Sequence, residues 1–428
     1  MKSRILGFEC LSCGEQADWG RIRYRCAKCG SNLNVVYDYA ALKKKMSPRR
    51  WSERPADLLR YRELLPLEKE ATLPLSVGGT PLFQSGPLSE KIGHKALYLK
   101  DETRNPSASF KDRASSVVLL RAREERAAVV AAASTGNAGS SLACLAAAGG
   151  QASVIFIPKT APKPKVAQLQ VFGARVLAVN GNYDAAFDLC AEVCEKSGWY
   201  NRNTGLNPFT REGKKTVSFE IFEQLGGRRP DWVLVPTGDG NIISGVWKGF
   251  RDLLSLGWID RLPRLAAVQA EGSNAVARAW RTRQPEGPGK KWVYSVEKIS
   301  ATTRADSISV DLPRDAVGAL RAVEESQGTA VEVSDGEIFE AQGILARTAG
   351  VFAEPSAAAA LAGLVALKKQ GLVANKERVV CLVTGNGLKD VQSVLERLGE
   401  PPRVEPRWEA VQEVLGALSQ KRDTAVIE

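Results

Sequence analysis

Ser109-Phe110-Lys111-Asp112-Arg113, followed by Ser134-Thr135-Gly136-Asn137-Ala138-Gly139, is the stretch on which the reading of this chain turns. Between the two runs lie an amphipathic segment and the short apolar run from Ala127 to Ala133. The pattern describes a lysine opening a helix, then a strand that ends in a loop of small residues. Such a unit can hold an aldehyde cofactor, because the amine forms a Schiff base while backbone N–H groups and an amide side chain stand nearby. The pentapeptide alone carries little, since most lysines are solvated surface charges. Its weight comes from three further elements that follow in order.

Outward from this stretch, short apolar runs alternate with longer amphipathic ones. Strands are expected at 96–100, 128–133, 152–157, 175–179, 232–235, 265–269 and 379–383, and helices at 112–125, 138–148, 183–197, 214–225, 335–348 and 356–369. This alternation predicts an α/β fold, two-lobed and three-layer αβα, with mostly parallel sheets and ligands at the carboxyl ends of the strands. The first of the further elements is Thr237-Gly238-Asp239-Gly240-Asn241-Ile242-Ile243-Ser244-Gly245, which follows an apolar run and enters a helix expected over 246–254. Glycines there let consecutive N–H groups point at an anion, with the helix dipole adding to the attraction. A dinucleotide fingerprint would need a third glycine at Ile243, so the loop is read as a cradle for a single phosphate group. A later element is Thr384-Gly385-Asn386-Gly387-Leu388-Lys389-Asp390, whose hydroxyl at a strand's carboxyl end is placed to bond a heterocycle nitrogen.

The ordered set resembles the fold-type II pyridoxal-phosphate enzymes (the tryptophan synthase beta-like fold), and among them the threonine synthases. The matching runs are Gly79-Thr80-Pro81-Leu82, Lys100 to Thr103 with Asn105-Pro106 and Ser109 to Arg113, Ser134 to Asn137, Asn207-Pro208, Glu212-Gly213 with Lys215-Thr216, Glu354 to Ala358, and the run from Thr384 to Asp390. The resemblance implies a pyridoxal 5'-phosphate cofactor held by Lys111 as a Schiff base. It implies that Asn137 meets the cofactor's phenolic oxygen, Gly238, Asp239, Gly240, Asn241 and Ile242 its phosphate, and Thr384 its pyridine nitrogen. A hydroxyl facing that nitrogen would leave it unprotonated. Ser134, Thr135, Asn207 and Arg211 are the implied substrate contacts. The implied reaction is that of a lyase in threonine biosynthesis. O-phosphohomoserine loses a proton at Cα and its phosphate at Cγ, water adds at Cβ, and threonine is released. Departures from the family pattern bear on substrate choice: Thr210 stands where an arginine is usual, with Arg211 one step later, and Asn386 replaces a histidine. The alternative is β-replacement or β-elimination on phosphoserine, serine or threonine, as in cysteate synthase or the dehydratases. The cluster Lys163, Lys165, Arg211, Lys214 and Lys215 favours a phosphorylated amino acid. A homodimer is a further expectation.

Four of the eight cysteines read Cys10-x-x-Cys13 and Cys26-x-x-Cys29, each pair followed by a glycine, Gly14 or Gly30. This is the spacing of two zinc knuckles on a small β module, closing a structural thiolate site with no open position. Two disulfides, or a site that has lost its metal, are the competing readings. Cys144, Cys190, Cys194 and Cys381 read as buried thiols, with Cys190 and Cys194 sharing a helix face. The expected organisation is a zinc-ribbon-like module at 1–40, a large cofactor-binding lobe at 41–95 and 210–400, a small lobe at 96–209, and a tail helix at 401–428.

The chain has 428 residues, 44% hydrophobic and 25% charged, ample for two or three domains with real cores. It shows no apolar run of spanning length and no secretory leader, so a cytoplasmic location is expected. The formal net charge is +11, but the basic residues are dispersed, and no specific nucleic-acid partner is expected. His94, the single histidine, reads as a loop residue. Its isolation speaks against a Ser-His-Asp triad or a multi-histidine metal site.

Overall fold

The computed structural model describes residues 4–19, 24–285, 292–398 and 400–424. The chain divides after Lys389 into two compact units. In the first, largely apolar strand runs such as Trp232–Pro236 and Val379–Val383 pair in parallel, as expected of strands covered on both faces. Six strands lie in the order Thr329–Val333, Arg264–Ala270, Trp232–Pro236, Val379–Val383, Leu97–Asp101 and Leu82–Phe83, with only the last antiparallel. Four more, all parallel, run Arg175–Val179, Ala152–Pro158, Val129–Ala133 and Tyr200–Asn201. The α/β reading with mostly parallel sheets holds.

Alternation along each strand builds the three layers. Val233 and Val235 join Ile243, Trp247 and Phe250 in one core, whereas Trp232 and Leu234 join Ala357, Leu361 and Ile338 in another on the opposite face. The smaller sheet divides likewise, with Val154 and Phe156 against Phe187 and Cys190, and Ile155 and Ile157 against Ala143 and Leu169. The strand Leu97–Asp101, which the sequence pattern placed at the head of the small lobe, pairs with Val379–Val383 in the six-stranded sheet. Local patterning cannot tell which sheet a strand joins, because that pairing links Leu97 to Val379, far apart in the chain.

The N-terminal segment forms a three-stranded antiparallel sheet, Gln16–Asp18, Ile5–Cys10 and Leu33–Tyr37. Its apolar face is continuous with the large core: Phe8 and Trp19 pack on Phe209, 6.1 and 5.9 Å between ring centroids. Residues from Asp390 onward carry the helices Val391–Leu398 and Trp408–Thr424.

One contact fixes the helix that Lys111 opens. Lys111–Glu124 lies so close to Phe209–Lys214 that a Cβ added at Gly213 would sit 2.0 Å from the Arg113 carbonyl oxygen. Backbone cannot retreat there as a side chain could. Gly213→Ala is therefore expected to destabilise the fold by about 2–3 kcal/mol, read from the urea midpoint.

Candidate functional site

Three strand ends deliver the site. Val129–Ala133 gives way to Ser134, Trp232–Pro236 to Thr237, and Val379–Val383 to Thr384, and the loops that follow face one cavity of about 340 Å³. Its size suits a small-molecule ligand. Four helices begin on its wall. Lys111 is the first residue of Lys111–Glu124, Asn137 of Asn137–Ala148, and Asn241 of Asn241–Ser255, while Ser356 is the second of Pro355–Lys369. None of the four carries a side-chain N-cap hydrogen bond. A helix start leaves its leading N–H groups without intrahelical partners and presents the positive end of its dipole. Four such ends around one cavity favour an anionic ligand.

Lys111 Nζ makes no hydrogen bond or ion pair with any described residue. Burial pushes its pKa below the usual lysine range against the attraction of Glu354, and nearby Arg202 acts in the same direction as burial. A neutral, unpartnered amine is a nucleophile and a base. Opposite stands Glu354, whose carboxyl is raised by burial even though Asn137 Nδ2 donates to both its oxygens at 2.9 and 3.0 Å. Asp239 is raised too, again by burial, and its Oδ1 accepts from the Arg314 N–H at 3.2 Å. Gly240 has φ +87°, and a Cβ there would lie 2.6 Å from the Asp315 carbonyl oxygen. A Cβ at Gly238 would meet Ile308 Cα at 2.9 Å, so only glycine allows this tight, N–H-lined turn.

The structure brings together Lys111, Ser134, Thr135, Asn137, Gly238, Asp239, Gly240, Asn241, Ile242 and Thr384, all of which line the cavity. The helix after the glycine turn begins at Asn241 instead of Val246, which places Asn241 and Ile242 in its first turn. Two expected substrate contacts are corrected. Arg211 is 1% exposed and fully committed: it donates to both oxygens of Asp315 at 2.8 Å, to the Leu33 carbonyl at 2.7 Å, to Asn34 Oδ1 at 2.8 Å and to Ser244 Oγ. Its partners lie far away in sequence, and an arginine so saturated has no donor left for a ligand. Asn207 is also off the wall, its amide donating to the Asn201 carbonyl at 2.7 Å and its Oδ1 accepting from the Phe209 N–H at 2.8 Å. Of the lysines expected beside it, only Lys214 reaches the cavity. Lys215 pairs with Glu212 and Asp252, and Lys165 with Asp306. Arg202, Tyr183, Asp184 and Ser307 line the cavity without having been singled out. Ser307 lies outside the strand-to-helix turns, Arg202 follows a strand of only two residues, and Tyr183 and Asp184 open a helix whose preceding turn carries no recognised motif. His94 is buried in a loop, bonded to the Glu377 carbonyl and away from the cavity.

Other motif residues build a buried ionic knot behind the lysine. Arg113 bonds Glu102 and Glu220, and Lys100 bonds Glu220 at 2.7 Å. Thr80 Oγ1 and Asn105 Nδ2 complete Glu102, at 2.7 and 2.8 Å, and the Gly79 N–H completes Glu220 at 2.9 Å.

The sulfurs of Cys10, Cys13, Cys26 and Cys29 all lie within 4.8 Å of one another. Cys10 to Cys29 is 3.4 Å and Cys13 to Cys26 is 3.7 Å, and all four are free thiols, not disulfides. Burial raises Cys10 to about 12, while backbone N–H groups of Cys29 and Lys28 draw Cys26 down to about 7. The other four cysteines are buried and free.

The description "Pyridoxal-phosphate dependent enzyme" belongs to the family whose model matches residues 73–385. A threonine synthase from Methanocaldococcus jannaschii is 38% identical over 411 residues, 96% of this chain and 99% of that protein. One from Methanosarcina acetivorans is 38% identical over 95% of this chain and 98% of its own length. Among solved structures, the processed threonine deaminase isoform 2 of Solanum lycopersicum superposes with a TM-score of 0.61 at 23% identity, over 74% of this chain and 82% of that one, a likeness of fold. No helix among the described residues is long and apolar enough to cross a membrane.

Proposed function

Because the chain belongs to the pyridoxal-phosphate dependent enzyme family, within which it is a lyase, we propose that it acts as a threonine synthase, converting O-phosphohomoserine and water to threonine and phosphate. The observation that carries the reading is the unpartnered, desolvated Lys111 amine facing an uncapped, glycine-shaped helix start across one cavity. The donor set fits the cofactor: an amine for its aldehyde, and a turn at Gly238 and Gly240 too tight for any side chain, for its phosphate. When bound, pyridoxal phosphate supplies an electrophilic carbonyl for the amine and an electron sink beside the substrate's Cα. Gly238 to Ile242 would hold its phosphate through their backbone N–H groups, and Asn137 and Thr384 would hold its ring. Lys111 Nζ, whose charged form burial disfavours, takes the proton from the substrate's Cα and carries protons to and from Cβ. Ser134 offers its hydroxyl, and Thr135 its hydroxyl and N–H, to the substrate carboxylate, the Ser134 N–H being taken by the Phe156 carbonyl at 3.1 Å.

Turnover of O-phosphohomoserine beside O-phosphoserine, serine and threonine tests this, with phosphate release and product identity both measured. Threonine from O-phosphohomoserine alone supports the reading. A β-replacement or deamination product in its place refutes it.

The reading extends to a structural zinc ion held by Cys10, Cys13, Cys26 and Cys29. Tetrahedral ligation at a Zn–S distance of about 2.3 Å sets the sulfurs about 3.8 Å apart, in keeping with the spacings here. About one zinc per chain is expected by mass spectrometry, lost together with several degrees of Tm in Cys10→Ser. It also includes a cytoplasmic homodimer, to be checked by sedimentation.

A further inference from the structure

Glu354 stands on the cavity wall and is 3% exposed. It immediately precedes the helix Pro355–Lys369, where an accepting side chain would ordinarily fold back onto the first N–H groups, but it makes no such bond. Its carboxyl reaches Asn137 instead, whose Nδ2 donates to Oε1 at 2.9 Å and to Oε2 at 3.0 Å. A glycine clears the space beside it. A Cβ on Gly385 would lie 2.5 Å from Glu354 Oε1, and the Glu354 N–H donates to the Gly385 carbonyl at 2.9 Å. Two elements thus shape a place for this carboxyl, yet among the described residues no lysine or arginine forms an ion pair with it.

A carboxyl kept in a dry wall is costly unless a charge nearby answers it. Three charged side chains face it: Lys111 from the helix Lys111–Glu124, Lys389 from the turn Gly387–Asp390, and Asp306 from the turn Asp306–Ile308. Lys389 Nζ donates to Ser140 Oγ at 2.9 Å, and Asp306 is paired with Lys165. Of the three, only Lys111 has no bond of its own. Lys111 is faced in turn by Glu354, Asp239, Arg202 and Lys214. Arg202 works with burial against its charge, whereas Glu354 is the stronger of the two carboxyls that favour it.

We propose that Glu354 is a positioning residue that sets how tightly the Lys111 nitrogen holds its proton, both as the free amine and once joined to the cofactor. The inference rests on Lys111 as the attachment point, not on the identity of the substrate. A base that takes a proton at one step and returns it at another works best when its affinity lies near the ambient pH. Burial and Arg202 pull the amine away from that range, and a fixed anion draws it back.

The test is a pair of pH titrations on the full chain, wild type beside Glu354→Gln and Glu354→Asp. In the empty protein, acetic anhydride labels Lys111 only in its neutral form, and peptide mapping by mass spectrometry reads the midpoint. In protein loaded with pyridoxal phosphate, the visible band of the bond between lysine and cofactor reads the midpoint of the same nitrogen. Glutamine keeps an acceptor for Asn137 but loses the charge, so both midpoints are expected to fall by about one pH unit, a tenfold loss of proton affinity. Aspartate, with its charge drawn back by one methylene, should fall in between. A merely structural carboxyl would lower stability or cofactor affinity and leave both midpoints in place. Midpoints unchanged or raised in Glu354→Gln therefore overturn the proposal. Should that variant fail to fold by circular dichroism, Glu354→Asp decides by the same measurements, a lowered midpoint supporting the proposal and an unchanged one sinking it. If the wild-type chain forms no band with pyridoxal phosphate, the cofactor reading fails on its own, and labelling of the empty protein still judges Glu354.

Discussion

Lys111→Ala is expected to abolish turnover, by at least about 10⁴-fold, because one substitution removes both the covalent anchor and the general base. The same change should eliminate the imine absorbance of protein reconstituted with pyridoxal phosphate, and borohydride should then fix no cofactor to the chain. Stability should move by less than about 1 kcal/mol, since the Lys111 amine has no hydrogen bond to lose and its charged form is disfavoured by burial. The separation of the two effects is the diagnostic part. An inactive variant that also unfolds would speak for a structural lysine, and a retained imine band would place the attachment on another residue.

The second large effect is on folding. Glu220 receives Arg113 at 2.6 and 2.8 Å, Lys100 at 2.7 Å and the Gly79 N–H at 2.9 Å, with 3% of its surface exposed. Glu220→Gln leaves two buried cations sharing one remaining carboxylate, Glu102. A loss of about 3–5 kcal/mol in urea-induced unfolding is expected, the usual scale for breaking a buried pair from one side. The pH dependence gives a second reading. Burial opposes ionisation of Glu220, but Arg113 and Lys100 outweigh it and hold its pKa below the ordinary carboxylate range. A depressed carboxylate contributes its full stability above its unfolded pKa and loses it as pH falls through the folded one. The deficit of the variant should therefore be largest near neutrality and shrink in strong acid. A deficit that stays constant down to acid pH would count against the knot as its source.

Much of the site was legible because its parts are local. Lys111, Ser134, Gly238 and Thr384 each sit where an apolar strand or a tight loop meets a helix, and that junction shows in a few consecutive residues. Boundaries shifted little: Arg175–Val179, Tyr183–Ser197 and Val379–Val383 lie where periodicity put them. What escaped depends on partners distant in the chain. The strand Thr329–Val333 alternates half-buried and buried positions at the sheet's edge and gives no apolar run. Tyr200–Asn201 is only two residues long. Arg202 carries no motif, and Ser115, on the helix that Lys111 opens, holds it at the cavity. Arg211 sat beside a resemblance to a ligand-binding arginine, yet Asp315 and the backbone at Leu33 claimed it. The charge of a side chain can be read from sequence, but not which neighbour neutralises it.

The saturated Arg211 also decides how this protein can be cut. Its guanidinium ties the strand Leu33–Tyr37 to Asp315, which in turn accepts from Asn241 on the cavity wall. A chain trimmed of its first forty residues would leave one buried Nη of that cation without its Leu33 and Asn34 acceptors and bare the aromatic face of Phe209. The cysteine-bearing segment is therefore packed into the large core and not an appendage, and a chain that begins beyond it is expected to fold less stably.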